Sequence, residues 1–229
     1  MPHRKPRRIF FGGTDTEVGK TYVTSLVAKH LHQLGRKVGV YKPVASGCQR
    51  VNDVWVSDDA VSLWNAAGKP LTLQNVCPQC FEKPLAPPQA AAAEGKQVDI
   101  NLLLDGLNPW QAISDILLIE GAGGLFSPIA EGLLSIELAM QMNADLILVA
   151  ENRLGVIHQV ISTCVAAKSM DCEPLGIILS HPKKDFHESM VDNPAQIEKY
   201  TGLPVLATVF FEGDTSCVAG IESTLEPKL

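Results

Sequence analysis

At 229 residues, 46% of them hydrophobic and 19% charged, the chain has the make-up of a water-soluble protein with one sizeable α/β core and too little length for two full domains. No apolar run approaches the roughly 18–20 residues that cross a bilayer, and a net charge of −6 supplies no general positive field. Neither a membrane span nor a nucleic-acid partner is therefore expected.

Arg4, Lys5, Arg7 and Arg8 open the chain without the apolar stretch of a secretory signal. Residues 1–7 read as a solvated, disordered tail before one domain that takes in the rest of 1–229, and no cleaved targeting segment is expected. The apolar run Ile9-Phe10-Phe11 reads as a strand. Behind it, Gly12-Gly13-Thr14-Asp15-Thr16-Glu17-Val18-Gly19-Lys20-Thr21 opens a helical pattern over residues 22–34. A strand, a glycine-bounded loop and a helix that starts with Gly-Lys-Thr read as a phosphate cradle. The N–H groups of a helix N-terminus have no partner inside the helix and attract phosphate oxygens. Lys20 is suited to neutralise the outer phosphates, and the Thr21 hydroxyl to hold Mg²⁺ against them. The loop is a variant, because Thr14 stands where the strict pattern has glycine.

Gly35 closes the helix and residues 38–41 read as the next strand, so the first crossover is a βαβ unit with parallel strands. Lys42 and Ser46 follow that strand at its carboxyl end, the end where such sheets bind ligands. Ser57-Asp58-Asp59 reads as a capped helix start; either acidic residue serves the cap, or one of them serves a magnesium ion. The proline-rich residues 70–90 are an excursion from the sheet. Within them Cys77-Pro78-Gln79-Cys80 has metal or redox spacing, but no nearby Cys or His pair completes a zinc site. Cys48, Cys164, Cys172 and Cys217 complete an irregular set that fits a reducing cytoplasm.

Residues 90–95 and 100–113 are expected as helices. Residues 116–119 form a continuous apolar run, as in a strand buried on both faces, which ends in Glu120-Gly121-Ala122-Gly123-Gly124. A carboxylate at that strand end, with glycines behind it, makes Glu120 a second metal-ligand candidate. Strands over 146–149, 175–179 and 205–209 alternate with helices up to residue 167 and over 195–200. The resulting class is a three-layer α/β sandwich around a mostly parallel sheet, like a P-loop NTPase. His158 reads as an anion-binding, capping or surface residue.

Taken in order, Gly13 to Thr21, Tyr41-Lys42-Pro43-Val44-Ala45-Ser46-Gly47, Asp59-Ala60 and Glu120 to Gly124 resemble the dethiobiotin synthetase family, over roughly residues 8–180. The resemblance implies a homodimeric, ATP- and Mg²⁺-dependent ligase that joins CO₂ to 7,8-diaminononanoate and closes a cyclic urea, releasing ADP and phosphate. It further implies that Lys42 and Lys20 are catalytic and that Thr21, Asp59 and Glu120 hold Mg²⁺. Glu17, Val18, Gly19, Lys20, Thr21, Tyr22, Gly121, Ala122, Gly123, Ser180 and His181 are then expected around the nucleotide. Thr16 and Ser46 are expected at the diamine, with Gly155 and His158 receiving its tail carboxylate across the dimer.

The chain departs from the family pattern with Ser180-His181 in place of an adenine-reading asparagine, with His158 at the tail-carboxylate position, and with Ala207-Thr208-Val209-Phe210 in place of a Gly-x-x-Pro segment. Two rivals share the variant loop. A nucleotide-dependent dimerisation switch would carry a lysine where Asp15 stands, and a related P-loop amide ligase acting on a carboxylated ring fits residues 42–47 less well than the diamine does.

Overall fold

Six apolar runs become the strands of one sheet in the computed structural model, which describes residues 5–184 and 188–226. They are β1 (Arg7–Gly13), β2 (Val38–Tyr41), β3 (Ile116–Glu120), β4 (Asp145–Glu151), β5 (Gly176–Ser180) and β6 (Val205–Val209). They lie in the order β6-β5-β4-β1-β3-β2, and each neighbouring pair is parallel. Parallel neighbours require crossovers, which run through α1 (Lys20–Gln33), α2 (Asp58–Ala66), α3 (Pro87–Ala93), α4 (Ile100–Asp105), α5 (Ser135–Gln141), α6 (Val156–Ser169) and α7 (Ser189–Thr201). Every residue of β2, β3 and β5 is buried, so both faces of the sheet are covered. That is why these strands read as continuous apolar runs rather than as alternating ones.

The fold corrects the sequence reading at three places and adds one element to it. Arg7 and Arg8 belong to β1 rather than to a solvated tail. Arg7 pairs with Asp145 at 2.8 Å and donates to the carbonyls of Thr224 and Glu226, while Arg8 donates to the carbonyl of Met142. Residues 1–4 of the expected tail lie outside the described residues. The helix expected over 100–113 stops at Asp105 because Gly106 packs on the Tyr41 hydroxyl, which a Cβ at that position would meet at 2.0 Å.

The helix expected over 195–200 starts earlier, at Ser189, with Pro194 inside it. Proline has no N–H to give the carbonyl of Met190 four residues back, and Asn152 Nδ2 donates to that carbonyl instead, at 3.1 Å. In addition, a two-stranded ribbon, Gln49–Val51 against Val54–Val56, stands before α2 in a stretch that the sequence reading left unassigned. Its turn residues Asn52 and Asp53 take φ of 48° and 64°, the left-handed geometry of a tight hairpin.

Candidate active site

The ionic centre follows from strand register. Tyr41 pairs with Ile119 across β2 and β3, so the next rung sets Lys42 beside Glu120. Parallel neighbours lie about 4.8 Å apart, and the two side chains meet with Lys42 Nζ 2.5 Å from Glu120 Oε1. Glu120 is fully buried and Lys42 is 4% exposed. From the other side α2, which packs on α1, turns Asp59 toward the same ammonium, with Oδ2 at 2.9 Å. Asp58, its neighbour, faces outward to Gln49, while Ser57 caps the helix by accepting from the N–H of Ala60.

The phosphate loop connects β1 to α1 on the same rim. Thr21, in the first turn of α1, donates its hydroxyl to Glu120 Oε1 at 2.8 Å. The Lys20 ammonium folds back over the loop to the carbonyl of Asp15 at 3.1 Å. It lies so close to Gly13 that a Cβ there would approach Nζ to 2.9 Å. Gly19 sits at φ +83°, a conformation that costs glycine little, and hands the chain into the helix. Together Thr16, Glu17, Gly19, Lys20, Thr21, Tyr22, Lys42, Asp59, Glu120 and Gly123 line one open cleft of about 380 Å³.

The charges in this cleft are mutually adjusted. Burial would push the Lys42 ammonium down, but Glu120 and Asp59 outweigh it and hold its pKa above the ordinary lysine value. Burial, aided by Lys42, lowers Lys20 to about 8. Asp59 is pushed up by desolvation, yet Lys42 and the hydrogen bonds around it leave it below the usual carboxylate range. Glu120 Oε2 is buried without a hydrogen-bond partner among the described residues. An orphaned carboxylate oxygen next to a threonine hydroxyl and a second carboxylate is the donor set that a hard cation such as Mg²⁺ takes.

Residues 7–216 match a domain family described as AAA domain. An ATP-dependent dethiobiotin synthetase BioD of Rhodopirellula baltica is 46% identical over 211 residues, which are 87% of this chain and 82% of the relative. The chain belongs to the dethiobiotin synthetase family. Another member, the ATP-dependent dethiobiotin synthetase BioD of Bacillus cereus (strain G9842), is 37% identical over 218 residues, 95% of this chain and 89% of that one. Among solved structures, the septum site-determining protein MinD of Pyrococcus horikoshii OT3, complexed with Mg-ADP, superposes with a TM-score of 0.56 at 19% identity. The match covers 96% of this chain and 85% of that one, and it shows a shared fold.

The residues expected from the dethiobiotin synthetase family fall into two groups. Thr16, Glu17, Gly19, Lys20, Thr21 and Tyr22 share the cleft with Lys42, Asp59, Glu120 and Gly123, while Val18 is buried. Ala122 contributes its carbonyl to the Ser135 hydroxyl, and the N–H of Gly121 is bound by the carbonyl of Phe11, so both shape the loop behind Glu120. Ser46, Gly155, His158, Ser180 and His181 are not among the residues that line this cleft, although Ser180 packs against Gly19, which does line it. Ser180 is 1% exposed and donates to the carbonyl of Val18, which ties it to the phosphate loop. His181 is buried beside Asn152 and stacks on the half-exposed ring of Phe210 at 5.0 Å between centroids. His158 is exposed on α6, and Gly155 is the N-cap of that helix.

Sequence reasoning missed Asn152 and Asn193. Asn152 accepts from Asn193 at 2.7 Å, binding the chain beyond β4 to α7 beside His181. Two asparagines 41 positions apart carry no local signal. The tight cysteine spacing, in turn, brings two thiols into contact. Cys77 and Cys80 are free thiols 3.6 Å apart, and no group of three or more His, Cys, Asp or Glu side chains among the described residues is arranged to hold a metal ion.

Proposed function

We propose that this chain is an ATP-dependent dethiobiotin synthetase, which joins CO₂ to 7,8-diaminononanoate and closes the cyclic urea with release of ADP and phosphate. The observation that carries this reading is the Lys42–Glu120 pair beside the phosphate loop, with Asp59 and Thr21 on the same atoms. In this reading the loop from Glu17 to Tyr22 binds the nucleotide phosphates, and Lys20 neutralises their outer charge.

Thr21, Asp59 and Glu120 hold Mg²⁺, which when bound adds positive charge against the transferring phosphoryl group. Lys42, held as an ammonium by its carboxylate neighbours, faces the carbamate formed on one substrate amine and the phosphate it attacks. Two anions must approach there, and the two ammonium groups offset their repulsion. Thr16 and Ser46 orient the diamine so that its second amine lies next to the activated carbamate, where proximity favours ring closure over hydrolysis.

Chemistry of this kind also needs the tail carboxylate to be fixed. Leu154, just before α6, and Val165, two turns beyond His158 on it, are 71% and 65% exposed, apolar side chains that a second copy of the chain could cover. A homodimer that uses this face would bring His158 of one protomer to the diamine site of the other. Free cysteines throughout, and the absence among the described residues of any helix long and apolar enough to cross a membrane, fit a cytoplasmic enzyme.

The test is direct. Protein incubated with 7,8-diaminononanoate, bicarbonate and Mg-ATP should yield the cyclic urea by mass spectrometry with matching ADP and phosphate. Phosphate release without the urea would overturn the assignment.

A further inference from the structure

Lys42 stands on the oxygens that a metal ion would need. Its ammonium is 2.5 Å from Glu120 Oε1 and 2.9 Å from Asp59 Oδ2, and Glu120 Oε1 is taken a second time by the Thr21 hydroxyl. Glu120 Oε2, buried without a hydrogen-bond partner among the described residues, and the half-exposed carboxylate of Asp59 are what remain for a cation while the ammonium is in place. Mg²⁺ fills much of its six-coordinate shell with water, but the carboxylates it would take here are already held by that ammonium.

Charge points the same way. Asp59 and Glu120 contribute two negative charges at the centre, and Lys20 and Lys42 two positive ones, so the inner cleft is balanced before any ligand arrives. Asp15 and Glu17 lie further out on the exposed loop. A divalent ion entering alone would leave the centre with two uncompensated positive charges around a buried lysine, which the low local polarity makes unfavourable. A metal that arrives with a triphosphate brings its own compensation. Phosphate oxygens give Lys42 an alternative anionic partner and release both carboxylates.

We propose that the Lys42 ammonium is an exchangeable placeholder for the metal. In the ligand-free protein it occupies the carboxylates of Asp59 and Glu120 and excludes Mg²⁺; when the metal–nucleotide complex enters, Lys42 moves to the phosphates and the metal takes the carboxylates. Metal and nucleotide then bind together rather than metal first, and Lys42 faces the reacting phosphate only once the metal is in place. The proposal rests on the assignment of Thr21, Asp59 and Glu120 as the metal residues.

The experiment measures metal binding without turnover. Calorimetric titration of Mg²⁺ into the nucleotide-free protein should show binding to Lys42→Met that is about tenfold or more tighter than to the wild type. Adding Glu120→Gln to Lys42→Met should remove that binding. If Lys42→Met binds no tighter than wild type while Glu120→Gln still removes the binding, the placeholder idea is wrong and the metal assignment stands. If Glu120→Gln leaves Mg²⁺ binding to Lys42→Met unchanged, the metal assignment fails and takes the proposal with it.

Because removing a buried lysine can unfold the chain, a second arm uses the wild type alone. Mn²⁺ followed by electron paramagnetic resonance should remain free without nucleotide and become bound when a non-hydrolysable ATP analogue is added. Stoichiometric Mn²⁺ binding before the analogue would overturn the proposal whatever the variants do.

Discussion

The hydroxyl of Ser180, at the end of β5, donates to the carbonyl of Val18 in the phosphate loop at 2.5 Å, and so joins two residues 162 positions apart. The same hydroxyl fills the space over Gly19, where an added Cβ would come within 2.9 Å of it. Ser180 therefore holds the backbone that cradles phosphate.

Ser180→Ala should raise KM for the nucleotide by about two- to tenfold, the worth of one neutral hydrogen bond, while kcat at saturation is kept. Gly19→Ala adds both the clash with Ser180 and a left-handed backbone that alanine resists, and it should abolish nucleotide binding. Fluorescent-nucleotide titration of the two variants separates these outcomes. Equal affinity for Ser180→Ala and wild type would remove the positioning role.

Lys42 and Glu120 are both buried, so removing one partner leaves the other charged and unpaired. Lys42→Met should destabilise the protein by about 3–5 kcal/mol. Pairing it with Glu120→Gln removes the stranded charge and should recover most of that loss. Urea denaturation of the two single variants and the double variant measures the coupling, and a double variant as unstable as the sum of the singles would contradict it.

Lys20 sets a pH dependence. Burial, and then the Lys42 charge, hold its pKa at about 8 against the ordinary 10.5. Between those values the unfolded chain binds more protons than the folded one, so this group makes stability rise with pH across that window and adds no slope below it. For the nucleotide the sign is opposite. As pH rises through about 8 the empty site loses the Lys20 charge, affinity should fall, and binding should take up protons. Calorimetry in buffers of different ionisation enthalpy reads that uptake, which Lys20→Met should eliminate.

The thiols near Lys42 should be slow to react. Contact with Cys48 lowers the Cys80 thiol, but Cys77 and burial raise it more, to about 12, and Cys48 is pushed higher still by Cys80 and burial. At neutral pH a disulfide reagent should label this cluster far more slowly in the folded protein than after unfolding. Rapid labelling of Cys80, read by peptide mass mapping, would refute this.

Much of the site was legible because its determinants are local. The loop from Gly12 to Thr21 carries its own strand, turn and helix start, and Lys42 and Glu120 each follow an apolar run whose carboxyl end defines the rim. Residue chemistry alone left Asp58 and Asp59 open, since the choice depends on how α2 is rotated against α1, and it was the family resemblance that favoured Asp59. The bond from Ser180 to the carbonyl of Val18 was not legible either, because it joins residues 162 positions apart and side-chain identity alone does not show it. Other features lay within reach. Asn52-Asp53 is a recognisable hairpin turn, and the alternation of Arg7 and Arg8 into β1 follows once Asp145 is placed on the neighbouring strand.

Lys42 follows β2, which has a neighbour on one flank only, whereas β1, β3, β4 and β5 are each clasped from both sides. Detachment of that margin would part Lys42 from Glu120 and leave five strands paired. Opening of that single seam, Val38–Tyr41 along β3, would therefore undo the ion pair without melting the whole molecule.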